Sequence, residues 1–228
     1  MGKIGLLGCV VILIVALIIF GGYFVSVRNN LVSLDEGVNQ QWAQVESQYQ
    51  RRYDLIPNLV RTVQGAANFE KSTLEAVVNA RARVGQVQGG GAPGASNIPN
   101  DPAAMQQFEA AQQGLSSALS RLLVVVERYP DLKSNANFLE LQSQLEGTEN
   151  RIAVERQRYN QAAQAFNTAV RRFPGNIVAS MSGFKPKAYF QSQPGAAQAP
   201  QVNFDFGTST STAAPTAPTT PPAPATGT

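Results

Sequence analysis

Few side chains in this sequence are equipped for chemistry. Its 228 residues include no histidine and a single cysteine, Cys9. That composition removes histidine-based acid–base catalysis, Ser-His-Asp and Cys-His nucleophiles, and His/Cys zinc sites. Carboxylates are the remaining route to an enzyme. Glu46 and Asp54 are eight residues apart, Glu146 and Glu149 are one helical turn apart, and Glu155 follows. A catalytic acid needs burial or a like charge to raise its pKa. Here every carboxylate has an arginine within a turn or two: Arg51, Arg52, Arg151, Arg156 or Arg158. Ion pairs and polar layers of a bundle account for them better than catalysis does. A four-helix carboxylate metal site would need Glu-x-x-His pairs, which this chain cannot supply. Gly89-Gly90-Gly91 has no preceding strand and no following Gly-Lys-Ser/Thr, so it is a loop and not a phosphate cradle. The expectation is no enzyme, no cofactor, no metal and no small-molecule substrate. A carboxylate-based hydrolase or transferase is the rival from a different class.

Residues suited to contact are easier to find. Trp42, Tyr49 and Tyr53 recur at helical spacing. Such a stripe is either a docking face or core, and the area that aromatic rings bury favours core. Arg51, Arg52 and Asp54 flank the Asp54-Leu55-Ile56-Pro57 turn and either pin it or offer a partner contact. GFKPKAYF mixes Phe184, Tyr189 and Phe190 with Lys185 and Lys187, the composition of an interfacial membrane anchor. The competing reading folds these rings back onto the bundle's own apolar seam. Trp42, Arg51, Arg52, Asp54, Phe184, Lys185, Lys187, Tyr189 and Phe190 are the candidate interface residues.

The elements that must position them are helical. Leu31, Leu34, Val38, Trp42, Val45, Tyr49 and Tyr53 follow an 11-residue repeat, close to the period of a straight helix. Before them, Ile4 to Val25 carries no charge and is long enough to cross a hydrocarbon core of about 30 Å. It lacks a small-residue cleavage site before a polar region, so it reads as a retained anchor. Cys9 precedes most of the apolar residues, the reverse of a lipoprotein signal, and Leu6 stands where myristoylation wants Ser or Thr. Lys3 and Arg28 balance across the segment and leave the bundle's side of the membrane undecided.

Pro57 predicts a break near Ile56, then a second helix from about Pro57 to Gln86 with Leu59, Val63, Ala66, Val77, Ala80 and Val84 on one stripe. A Gly/Pro/Asn-rich loop over 87–101 follows. Asp101-Pro102 is a helix start. Heptads at Phe108, Gln112, Leu115, Leu119, Leu122, Val126 and Tyr129 form the third helix, which Pro130 closes. Phe138, Leu145, Ile152, Tyr159, Phe166 and Phe173 recur every seven residues in a fourth, from about Leu132 to Phe173. The third and fourth pack as an antiparallel hairpin across Pro130. Residues 194–228 are mostly Pro, Thr, Ala, Ser and Gly with Asp205 the only charge, and cannot bury enough apolar surface to offset their ordering entropy.

The predicted class is all-α: an N-terminal transmembrane helix continuous with an antiparallel bundle of three to four long helices. Its divisions are an anchor over 1–27, a bundle over 28–175, a membrane-proximal basic and aromatic segment over 176–193, and the tail. On an up-down path Arg28, Arg81, Arg83, Arg171, Arg172, Lys185 and Lys187 fall toward the membrane end. Between Asn29 and Phe173 there are 14 Lys/Arg and 14 Asp/Glu, so the bundle is neutral, which argues against nucleic acid as a partner.

LVSLDEGVNQQWAQVESQYQRRYDLIPNLVRTVQG resembles the signature of the LemA family of bacterial membrane-anchored helical proteins, most specifically in QRR-Y-DLIPNLV. ERYPDLKSNANFLELQSQLEGTENRIAVERQRYN, FNTAVRRFPGNIVA and GFKPKAYF extend the resemblance to about Phe190. It implies a helical bundle on one N-terminal anchor and no defined biochemical activity. Some relatives are associated with magnetosome formation and others with a membrane metalloprotease. The expected function is a single-pass scaffold or adaptor of the bacterial inner membrane, touching lipid, forming a homo-oligomer or binding another membrane protein. The alternative is an envelope stress or signalling regulator acting with a membrane protease.

Overall fold

A computed structural model describes residues 2–66, 69–88 and 95–191. The expected tail at 194–228 lies outside them. Among the described residues every regular element is helical. Helix α1 runs without interruption from Gly2 to Gln64, about 95 Å at 1.5 Å per residue. Its large apolar side chains from Val11 to Val25 are exposed except Phe24, which packs on the core, and its 11-residue stripe then turns inward, with Leu31, Val38, Val45 and Tyr49 buried. One helix is therefore both the apolar span and the bundle's first member.

The break expected at Pro57 is absent, and the second helix does not start there. Proline cannot donate to the carbonyl four residues back, which is that of Tyr53. Arg81 Nε donates to that carbonyl instead at 3.3 Å, while its guanidinium lies 3.8 Å from the Tyr53 ring centre. A side chain from the next helix takes over the hydrogen bond that Pro57 removes, and α1 continues until Gly65.

Helix α2 (Lys71–Gln88) returns beside the distal part of α1. Its Gly85 lies beside the Tyr53 hydroxyl, and its last turn, at Val87, packs against the cluster that holds Tyr49 and Phe108. Arg81 and Arg83 are thus at mid-height or above, away from the membrane end where an up-down path puts them. A 3-10 helix over Ala95–Asn100 occupies part of the expected loop and buries Ile98. Helix α3 (Pro102–Val126) starts as expected, with Asp101 Oδ1 accepting from Ala103 N at 2.8 Å. A single-turn α4 (Pro130–Lys133) leads to α5 (Ala136–Arg171), capped by Asn135. The long fourth helix is thus divided at Ser134–Asn135. Phe138, Leu145, Ile152, Tyr159 and Phe166 are buried, but Phe173 is 77% exposed because the helix ends two residues earlier. The main pairings are α1 with α5 and α2 with α3, not a dominant α3–α5 hairpin.

An unforeseen helix α6 (Gly175–Ser182) turns off the end of α5. The corner requires glycine at 175, where a Cβ would lie 2.2 Å from the Ala169 carbonyl oxygen. Gly183, at φ +76°, ends α6 in the left-handed region. The chain then runs as an extended strap from Phe184 to Gln191.

Candidate functional site

The strap is held in a seam between α1, α3 and α5 by two asparagines. Asn167 Nδ2 donates to Lys187 O at 2.9 Å, and Lys187 N donates back to Asn167 Oδ1 at 2.7 Å. Asn160 makes the same pair with Phe190, at 3.0 and 2.9 Å. Each side-chain amide thus presents one donor and one acceptor, as a neighbouring β-strand would. The register follows from chain geometry. Two helical turns between Asn160 and Asn167 rise about 10.5 Å, and three extended residues between Lys187 and Phe190 span about 10 Å. Tyr159 Oη donates to Ala188 O at 2.9 Å, and Ala188 N donates to Pro99 O at 2.8 Å.

Phe190 is the strap's anchor. It stacks on Trp42 with ring centres 5.9 Å apart at 19°, and meets Tyr159 edge-on at 5.3 Å. Phe108 meets Trp42 and Tyr49 edge-on and lies 6.4 Å from the Phe190 ring centre. Arg156 lies 4.6 Å from the Phe190 ring and bonds both Glu109, at 2.8 Å, and the Gln191 carbonyl, at 3.0 Å. Glu109 also accepts from Gln191 N at 3.0 Å. Burial raises the Glu109 pKa above the usual carboxylate value, against the lowering effects of the Gln191 N–H and Arg156. Lys187 is buried, with its ammonium 2.6 Å from Asp35 and 2.7 Å from Asn100 Oδ1.

Of the two expectations for GFKPKAYF, the structure shows the fold-back. Phe184 is half-buried against Phe166, and Lys187 and Phe190 are interior. Lys187 and Phe190 are not available as interface residues, because the two asparagines and the aromatic cluster hold them inside. Lys185 and Tyr189 point outward.

A second polar feature crosses the core one level higher. Arg52 is 1% exposed. It pairs with Glu149, bonds the Gln112 amide oxygen and Ser116 Oγ, and lies 5.1 Å from the Tyr49 ring. Gln48 Oε1, Arg52 Nε and Gln112 Nε2 have no hydrogen-bond partner among the described residues. Burial, outweighing the opposing fields of Arg156 and Arg52, raises the Tyr49 pKa. Arg51 and Asp54 are exposed, with Asp54 accepting from Gln50 at 2.9 Å. The Arg51-Arg52-Asp54 cluster therefore divides. Arg52 is a core residue, and its neighbours face solvent and do not pin the turn. Trp42 is half-buried and serves the aromatic core.

The carboxylates considered for catalysis do not converge. Glu149 belongs to Arg52, Glu146 accepts from Gln142, and Glu155 pairs with Arg158 at 2.8 Å. Among the described residues no three of His, Cys, Asp and Glu gather to hold a metal ion. The strap asparagines escaped the sequence reading, though a signal was there: Tyr159-Asn160 and Phe166-Asn167 repeat seven residues apart.

The LemA family model matches residues 41–204, from Trp42 and Arg52 through both asparagines to beyond the strap. The chain belongs to the LemA family. Magnetosome protein MamQ 2 of Paramagnetospirillum magneticum is 29% identical over 196 residues, covering 81% of this chain and 72% of that protein. Magnetosome protein MamQ of Magnetospirillum gryphiswaldense is 28% identical, over 73% of this chain and 65% of its own length. Protein LemA of Metamycoplasma hominis is 24% identical, over 75% and 72%. None of these names is that of an enzyme. The LemA match begins beyond the apolar span of α1 and takes in α1 from Gln41 onward, the other helices and the strap.

Proposed function

We propose that this LemA-family chain is a single-pass protein of the bacterial inner membrane whose bundle is a scaffold or adaptor. It assembles with copies of itself or with another membrane protein. The observation that carries this reading is α1, which passes from an exposed apolar segment at Val11–Val25 into the bundle core at Leu31 without a hinge. A bundle continuous with its anchor keeps one orientation to the bilayer. Confinement to two dimensions raises the effective concentration of copies. The seam and the Arg52 layer then serve rigidity, not turnover. The test is native mass measurement of the full chain in mild detergent and in nanodiscs, with crosslinking in membranes and identification of what is captured. Species of two or more copies, or a captured membrane protein, are expected. A single monomeric species across concentrations in both media, with no crosslinked membrane protein, would overturn the reading.

A further inference from the structure

The base of the bundle carries an apolar face that packing within the chain does not use. Gly175, Val178 and Ala179 of α6 are buried against α1 and α5. Ile177 and Met181, one turn apart on another side, are exposed, and so is Phe173 in the corner that leads into α6. Among the described residues, Phe173 at 77% and Met181 at 73% are the most exposed large apolar residues outside the span of α1; Val124, on α3, follows at 69%.

Their height on the molecule says what covers them. A cavity of about 290 Å³ is lined on one side by Val27, Asn30 and Leu31 of α1, and on the other by Phe173, Pro174 and Gly175. At the other end of α6, Phe184 meets Phe166 with ring centres 6.0 Å apart. Both ends of α6 are therefore held at the level of residues 165–169 of α5, so it lies across the base and does not climb the bundle. Val27 is two residues beyond the last apolar residue of the span, a rise of about 3 Å. That is headgroup depth if Val11–Val25 lies in hydrocarbon. Arg28, Arg171 and Arg172 are exposed around the same base. Cations beside an apolar stripe at this depth match an anionic lipid surface.

We propose that α6 is an interfacial helix, with Phe173, Ile177 and Met181 inserted at the bilayer boundary and the surrounding cations on the phosphates. The occupant is lipid, so the membrane contact belongs to α6 and not to GFKPKAYF. This rests on the reading that the apolar part of α1 spans the membrane, and the experiment separates the two. The full chain, with Cys9→Ser, receives single spin-labelled cysteines at Leu17, Met181, Ile177, Val124 and Lys185. Each is reconstituted in vesicles of phosphatidylethanolamine and phosphatidylglycerol. Accessibility to oxygen against a water-soluble nickel chelate then reports depth. Met181 and Ile177 are expected to favour oxygen, as Leu17 does, while Val124 and Lys185 favour nickel. If Met181 behaves like Val124 while Leu17 still reports lipid, the inference fails and the span stands. If Leu17 reports water, both fail. If Met181 is shielded from both reagents, protein covers the stripe, and lipid insertion is again refuted.

Discussion

The two halves of the bundle are built on different principles. The distal half is aliphatic: Ile56, Leu59, Val63, Val77, Val84, Leu115, Leu122 and Leu145 dominate its core. It is closed by neighbouring elements, the end of α1 with α2, α3 with α4, and the start of α5. The proximal half is aromatic, with Trp42, Tyr49, Phe108, Tyr159, Phe166 and Phe190 in one cluster. Helix α2 touches it with Val87 of its last turn. The strap and the 3-10 helix fill the vacant position of a fourth helix, and large rings take up the irregular space that an extended chain leaves. The Arg52 layer lies where the two cores meet. The lesson is that one half closes through local turns, while the other waits for the last described segment of the chain.

The largest effect should come from the layer between the halves. Glu149→Ala leaves the Arg52 guanidinium buried without its carboxylate, a loss of about 3 kcal/mol or more. Arg52→Leu leaves a carboxylate that is 43% exposed and can reach water, plus one orphaned amide, so about 1–3 kcal/mol is expected. Denaturant unfolding should rank Glu149→Ala below Arg52→Leu, with the double variant recovering part of the difference. The opposite ranking would show that the layer is not held by the pair.

Removing a core side chain in each half sharpens the contrast. Phe190→Ala and Leu122→Ala should each cost about 3 kcal/mol. The first should appear as local opening, with faster hydrogen exchange at residues 187–191 and an unchanged distal half. Leu122→Ala should lower protection throughout. Equal, global losses would mean that the halves unfold as one unit.

The asparagine clasps are the next test. Asn160→Ala or Asn167→Ala removes two hydrogen bonds to the strap, about 1–2 kcal/mol each. Asn167→Asp should be as harmful as Ala, because a carboxylate cannot donate to the Lys187 carbonyl. Exchange rates at Lys187 and Phe190 would read this directly, and a harmless Asp would exclude the donor role.

Alkali should also discriminate. Tyr159 and Tyr49 both lie in the proximal core, and burial raises both phenol pKa values above the usual figure of about 10. The native state therefore holds these protons more tightly than the unfolded chain. The stability this contributes is complete below the ordinary tyrosine pKa and is lost as pH rises through the folded values. The strap should loosen before the distal helices as pH passes about 10, with phenolate absorbance rising in step. Tyr159→Phe should be weaker at neutral pH, having lost the bond to Ala188, but should show a flatter alkaline slope. A steeper one would contradict the assignment.

The smallest effect belongs to Pro57. Pro57→Ala restores an N–H for the Tyr53 carbonyl, and Arg81 keeps its stacking on the ring, so stability should change by no more than about 1 kcal/mol. Arg81→Ala in the proline background should cost more than in the alanine background. Equal costs would mean that the rescue of the carbonyl contributes nothing.

The sequence by itself determined the all-helical class and the apolar span, because these follow from composition and from periods of 11/3 and 7/2 that need no partner to be read. It also determined the Asp101-Pro102 start and most of the buried positions, including Tyr159 and Phe166. Tertiary structure alone decided the rest. Whether Pro57 breaks a helix depended on Arg81 arriving from another element to take the stranded carbonyl. Whether Phe190 and Lys187 meet lipid or core depended on two asparagines whose amides match the spacing of an extended strap. The end of α5 was set by a corner that only Gly175 fits, which moved Phe173 from the heptad seam to the surface. Periodicity reports the face a residue presents, but the partner that face meets is fixed by contacts between segments far apart in the chain.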